Sequence, residues 1–178
     1  MLKYVLYILP VVFGFELIDR YIPTIRKELT FCENAEPILR ETVDTVVNEI
    51  NEYDIMYLSL HDNKSIKTNE EDTINSICSY QGYNGYFGYT SFYTDNLETD
   101  ISISRLLYNT PITLQNVVKH EILHALGLNH TTEEGLMNYT LRVDNRGLVI
   151  NDDKVLWLSL DDIKGLRFLR KSTCPTVN

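Results

Sequence analysis

The sequence predicts an α+β fold: a twisted mixed sheet, a long helix over 36–53, a second helix near 113–126 and a closing helix near 159–170. Three observations lead there. Apolar residues recur at helical steps in 36–53, β-forming segments flank that stretch, and two further helical patterns follow them. With 178 residues the chain has the size of one domain and enough length to bury a core.

Residues 1–15 read MLKYVLYILPVVFGF, with Lys3 ahead of a short apolar run and Gly14 behind it. That layout fits a secretory signal over 1–14, with Val12 and Gly14 at the −3 and −1 positions, leaving a single domain over 15–178. A buried first strand is the competing reading. The apolar run is too short to span a bilayer comfortably, so no stable membrane span is expected once the signal is cleaved. Sixteen Lys and Arg stand against 25 Asp and Glu, a net charge of −9, so phosphates repel the chain and nucleic acid is excluded as a partner.

IRKELTFC (25–32) has the β-former content of a strand. Asn34 can cap the next element, and Pro37 suits its first turn. Leu39, Val43, Val46 and Ile50 then mark one helical face, while Glu41, Asp44, Asn48 and Glu52 mark the solvent side. DIMYLSLHD (54–62) follows as a strand, and KSIKTNEED as a polar loop. The Tyr- and Gly-rich stretch 76–94 reads as two strands with a turn near Gly82 to Gly85, compatible with an exposed edge against which a peptide can lie. ETDISISRLLY (98–108) supplies the fifth strand, alternating at Ile101 and Ile103. Cys32, Cys78 and Cys174 allow one disulfide and one leftover thiol; spacing alone does not say which two pair.

Residues 120–130, HEILHALGLNH, carry the chemistry. His120, Glu121, His124, Gly127 and His130 form H-E-x-x-H-x-x-G-x-x-H, and three of the four histidines in the chain fall inside it. Such a match arises by chance on the order of once in 10⁵ chains of this length. Upstream, Thr113 is a candidate cap, and Val117, Val118, Ile122 and Leu126 give an apolar face, so the motif begins on a helix. Positions i and i+4 sit one above the other there, which aims His120 and His124 at a single point. Gly127 can end the helix in a left-handed conformation and return His130 as third ligand. Three protein nitrogens leave one tetrahedral position open to water, the mark of a catalytic zinc site. Glu121 is then placed to act as general base on that water.

The closed motif resembles the metzincin clan of zinc endopeptidases, named for a methionine turn beneath the metal. GLMNY (135–139) supplies that turn, and the resemblance makes Met137 its methionine, packed under the histidines without binding zinc. Within the clan the chain is most similar to the matrixins, the matrix-metalloproteinase group. Thr131 stands beside the third histidine where matrixins usually have Ser, and LSLDDIKGLRFLR (158–170) is similar to their closing helix. Ser159 and Asp162 also suit a capping box on chemical grounds alone. The likeness covers roughly 25–170 and implies a metzincin-like five-stranded mixed sheet, protein or peptide substrates, and proteinaceous metalloprotease inhibitors as partners.

The departures shape the remaining expectations. No PRCG-type cysteine switch is found, Cys32 lying in an unrelated context, and no hemopexin-like domain is expected after the catalytic one. The histidine pattern of a second metal loop is missing, so one catalytic zinc is expected, with no structural zinc or calcium, and His61 beside Asp62 reads as a solvated loop residue. Tyr139 stands where matrixins normally carry proline; astacins and serralysins place there a tyrosine that reaches the zinc. It serves either as an oxyanion support or fifth ligand, or as a pocket-lining side chain. Residues 139–157 should wall the specificity pocket, with a small hairpin turning at Asn145 to Gly147. Of the sequons at Asn63, Asn129 and Asn138, the last two adjoin the metal motif, so at most Asn63 is expected to carry glycan.

These readings lead to a secreted zinc endopeptidase that uses a zinc-activated water and Glu121 as base. The alternative is a catalytically silent, metal-bound binding module or decoy, for which a base has no use. A third option, a zinc hydrolase of non-peptide amides, sits poorly with a strand suited to pairing with a peptide.

Overall fold

The β-formers on either side of the first amphipathic stretch become neighbouring strands. Arg26–Phe31 forms β1 and Tyr57–His61 forms β2, paired in parallel, with helix α1 (Pro37–Glu52) as the crossover that parallel pairing requires. Strands β3 (Ile74–Tyr80), β4 (Gly88–Phe92) and β5 (Thr99–Ser104) follow, then helices α2 (Pro111–Ala125) and α3 (Leu160–Thr173). This computed structural model describes residues 26–61, 74–82, 86–92, 99–132, 134–146 and 148–173. The leader reading over 1–14, Asp62, the Asn63 sequon, Gly147 and Cys174 lie outside them.

The sheet is five-stranded and mixed, in the order β2-β1-β3-β5-β4, with β4 alone antiparallel to its neighbour. The two strands read from 76–94 are therefore not partners of each other, because β5 lies between them. Burial explains the order. Ile101 and Ile103 of β5 are wholly buried and need a central strand, whereas β4 has no buried residue and tolerates the edge.

Helix α1 buries Leu39, Val43, Val46, Val47 and Ile50. Each such side chain contributes about 1.5–3 kcal/mol relative to exposure, so the stripe fixes which face meets the core. Its N-terminus departs from expectation. Glu36, not Asn34, occupies the cap and makes no side-chain bond there. The Asn34 amide instead spans to β3, donating to Ser79 O at 2.7 Å and accepting from Ser79 N at 3.4 Å, which satisfies both of its ends. Thr113 is likewise inside α2 rather than capping it. Pro111 opens that helix without an N–H to satisfy, and the next two amides, Ile112 and Thr113, donate to Asn151 Oδ1 at 3.1 and 3.3 Å. The cap thus comes from the loop that follows, not from the helix's own sequence.

His61 is also corrected: it ends β2 half-buried, with Nε2 enclosed and, among the described residues, without a hydrogen-bond partner, so it is not a solvated loop residue. The Ser159–Asp162 capping box forms as read, Ser159 N donating to Asp162 Oδ2 at 2.8 Å and Asp162 N to Ser159 Oγ at 3.1 Å. Residues 142–144 and 148–150 pair as the arms of the small hairpin, with Asp144 N donating to Leu148 O at 2.8 Å and Ile150 N to Arg142 O at 3.0 Å.

Cys32 and Cys78 form a disulfide across the neighbouring strands β1 and β3, 46 residues apart in sequence. A crosslink closing a loop of that length contributes about 2–4 kcal/mol, chiefly by restricting the unfolded chain. Replacing both cysteines by serine is expected to lower the melting temperature by roughly 10 °C without altering the fold, as measured by calorimetry and circular dichroism.

Candidate metal centre

Helix α2 is buried around most of its circumference, which a polar sequence permits only if each enclosed polar group finds a partner. Lys119, 1% exposed, pairs with Glu49 of α1, donates to Leu156 O at 2.9 Å and lies 5.5 Å from the centre of the Trp157 ring. Gln115 donates to the other Glu49 oxygen at 2.6 Å. Asn116 donates to Asp152 at 2.8 Å and accepts from Leu156 N at 2.7 Å. These bonds clamp α2 between α1 and the 152–157 segment, so the motif enters the site on an immobilised helix.

The helix ends as its sequence dictates. Gly127 takes φ +105°, Leu128 N donates to Leu123 O at 3.1 Å and Gly127 N to His124 O at 2.8 Å, the paired bonds of a Schellman stop. Leu123 and Leu128 are both buried and supply its apolar contact. The reversed chain carries His130 back over the helix.

Three ring nitrogens then converge. His130 Nε2 lies 3.1 Å from His120 Nε2 and 3.2 Å from His124 Nε2. Two backbone carbonyls fix the tautomers. His120 Nδ1 is 2.8 Å from Leu136 O and His124 Nδ1 is 2.8 Å from Leu128 O; a carbonyl only accepts, so both Nδ1 atoms hold the proton. Each Nε2 of a neutral ring is left with its lone pair pointing into the cluster. Burial lowers both imidazoles from the usual 6.5 to about 4, which keeps them neutral near pH 7. Zinc–nitrogen bonds of about 2.0–2.1 Å in a tetrahedron put ligand nitrogens roughly 3.3 Å apart, so the donor type, the tautomers and the separations fit that ion.

Glu121 is buried beside them, and burial raises its carboxyl from 4.5 to about 7, partly offset by a bond from the Thr90 hydroxyl at 2.8 Å to Oε2. Met137 is buried in a 3-10 turn, Leu136–Asn138, whose backbone serves the site directly. Leu136 O holds His120, and Met137 O accepts from Thr131 N, next to His130, at 3.2 Å. A methyl at Gly135 would stand 2.7 Å from Ser159 Oγ, so this turn needs a glycine to seat against the cap of α3. Tyr139 turns away from the cluster in its bonding: its hydroxyl donates to Asp152 at 2.6 Å, and burial raises its phenol.

The three histidines of the motif thus meet in the structure, with Glu121 buried next to His120; four other residues that serve them had no sign in the sequence. These are Thr90, Gly88, Lys119 and Asp152. A Thr in a Tyr- and Gly-rich strand and a Lys on a helix carry no local sign of what they will face.

Two imidazoles from a helix, a third returned after its glycine stop and a buried methionine in the turn that follows form a three-nitrogen cluster of the kind that suits zinc. The family is settled by comparison: the Matrixin family profile matches residues 51–169, and the chain belongs to that family. No curated protein sequence matches it. Among solved structures, High choriolytic enzyme 1, a hatching-enzyme zinc-protease from Oryzias latipes (medaka fish), is similar at 14% identity and TM-score 0.50, over 82% of this chain and 89% of that one. Myroilysin is similar at 14% identity and TM-score 0.55, over 92% of this chain and all of that one. At such identities these likenesses speak to the fold, a metzincin-like α+β architecture.

The electrostatics yield a stability prediction for the metal-free protein. Glu121 has a raised folded pKa, so its contribution is present below about 4.5 and is lost as pH climbs through about 7. His120 and His124 have depressed values and act in the opposite sense, losing stability as pH falls from 6.5 toward about 4. Chelated Glu121→Gln protein is therefore expected to exceed the chelated parent by on the order of 3 kcal/mol at pH 8, with the gap closing near pH 4.5, in urea unfolding.

Proposed function

We propose that this chain is a secreted zinc endopeptidase, with His120, His124 and His130 holding one catalytic zinc and Glu121 serving as general base. The observation that carries the reading is the convergence of three histidine Nε2 atoms, those of His120 and His124 left unprotonated by their carbonyl-bound Nδ1, beside a buried carboxyl. A zinc ion held by these histidines would lower the pKa of its water from 15.7 to about 7 and would polarise a substrate carbonyl. Glu121 is the residue placed to accept a proton from the attacking water and return it to the departing amine, a role suited to a group whose burial raises it to about 7.

The substrate's seat follows from the sheet. β4 is the edge strand among the described residues and packs on α2, so an extended peptide adding to its outer edge runs alongside the metal cluster. The 142–150 hairpin supports the reading of 139–157 as the opposite wall. Tyr139 belongs to that wall, since its hydroxyl is engaged by Asp152. Met137 acts through its turn's carbonyls and by filling space beneath the histidines. Secretion is supported by the Cys32–Cys78 disulfide, which persists in oxidising compartments. Among the described residues no helix is long and apolar enough to cross a membrane.

Two outcomes test this reading. Cleavage of a quenched-fluorescent peptide library is expected to disappear on chelation, return with one equivalent of zinc, and fall by at least about 10²-fold in Glu121→Ala; activity that survives both treatments would refute it. Tyr139→Phe is expected to keep kcat within about threefold of the parent while lowering the melting temperature, because the hydroxyl's partners are Asp152 and Thr113.

A further inference from the structure

Strand β4 faces α2 with alternate residues, and the pleat decides which. Tyr89 turns to the opposite side and packs on Tyr80, with ring centres 5.7 Å apart. Gly88 and Thr90 therefore share the face over Glu121. A Cβ at Gly88 would stand 2.7 Å from Val117 Cγ1 and 3.0 Å from both Cγ and Oε1 of Glu121, so only a glycine lets the strand come this close. Two residues on, the Thr90 hydroxyl lies 2.8 Å from Glu121 Oε2 and 3.0 Å from the Glu121 carbonyl oxygen. It has one proton to give, shared between the side chain and the main chain of the same residue.

We infer that Thr90 is the positioning residue for the Glu121 carboxylate, with Gly88 as the clearance that admits it; the inference rests on Glu121 being the base. Thr90 ties down Oε2 and so selects Oε1, to which no described residue donates, as the oxygen that receives the proton. A glutamate side chain has three rotatable bonds, and a base misplaced by about 1 Å loses on the order of 10² in rate. The hydroxyl supplies the restraint that the helix backbone alone does not. Because Thr90 sits on the edge strand proposed to seat the peptide, the same strand sets both the substrate's register and the base's direction. Substrate seating depends on β4 backbone groups, however, and the carboxylate's aim on the Thr90 hydroxyl, so KM and kcat separate the two.

The test uses the zinc-loaded full chain and a quenched-fluorescent heptapeptide with an apolar residue after the scissile bond. Thr90→Val keeps the shape and removes the hydroxyl; it is expected to lower kcat by about 10-fold to 100-fold with KM within about twofold and zinc content unchanged. Thr90→Ser restores the hydroxyl and is expected to return kcat to within about threefold. Glu121→Gln runs beside them. Full activity in that variant overturns the base reading itself, whereas loss in Glu121→Gln with a parental kcat in Thr90→Val overturns the Thr90 inference alone. A fall in Thr90→Val that appears in KM, or that Ser fails to rescue, also overturns it. A second readout needs no turnover. In the chelated protein, the melting-temperature shifts of Thr90→Val and Glu121→Ala are expected to be non-additive by at least about 2 °C, and additive shifts overturn the inference. Should Thr90→Val fail to fold, Gly88→Ala with Thr90 intact is expected to lower kcat by crowding Oε1, and a parental kcat there counts against the inference equally.

Discussion

Two main-chain carbonyls govern the centre of this molecule. Leu136 O and Leu128 O each accept the Nδ1 proton of a histidine, and that choice decides which nitrogen of His120 and His124 faces the cluster. Imidazole has two equivalent ways to carry one proton, and helical spacing alone does not select between them. The selection comes from the turn after α2 and from the methionine turn, two pieces of backbone shaped by Gly127 and Gly135. With both Nε2 atoms stripped of their protons, His130 can approach each within about 3 Å, close to the edge of a zinc tetrahedron.

The rest of the structure keeps those carbonyls and that helix in register. Lys119 is enclosed yet charged, which is tolerable only because Glu49 and Leu156 O meet it. Removing Glu49 leaves an ammonium without a counter-charge one residue from His120, and burial then works against the fold instead of for it. Asn116 and Asp152 extend the clamp to Tyr139 and Arg142, so the segment after the methionine turn and helix α2 share one polar network. The Ser159–Asp162 cap presses on Gly135, linking the closing helix to the methionine turn. Elements far apart in sequence thereby converge on the orientation of two rings.

Legibility followed the range of the interaction. The faces of α1, the two nitrogens at i and i+4, the glycine stop and the capping box of α3 were all readable, because each depends on residues within about one turn of each other. The caps of α1 and α2 were misread for the complementary reason. Asn34 and Thr113 have capping chemistry, but partners 45 and 37 residues away, Ser79 and Ile150, offered their side chains better-satisfied bonds. His61 was misjudged on the same account, since a polar neighbourhood in sequence said nothing of the strand end it came to occupy.

What the sequence determined by itself is the candidate ligand set, the spacing of its first two members on a helix, and the separation of buried from exposed faces. These are periodic or local properties, written in the order of residues a few steps apart. Only the tertiary structure decided that β5 lies between β3 and β4, that Cys32 rather than Cys174 meets Cys78, and that Thr90 rests on Glu121 from 31 residues upstream. Such pairings are chosen by which packing satisfies every buried polar group at once, a condition on the whole chain that no window of sequence contains.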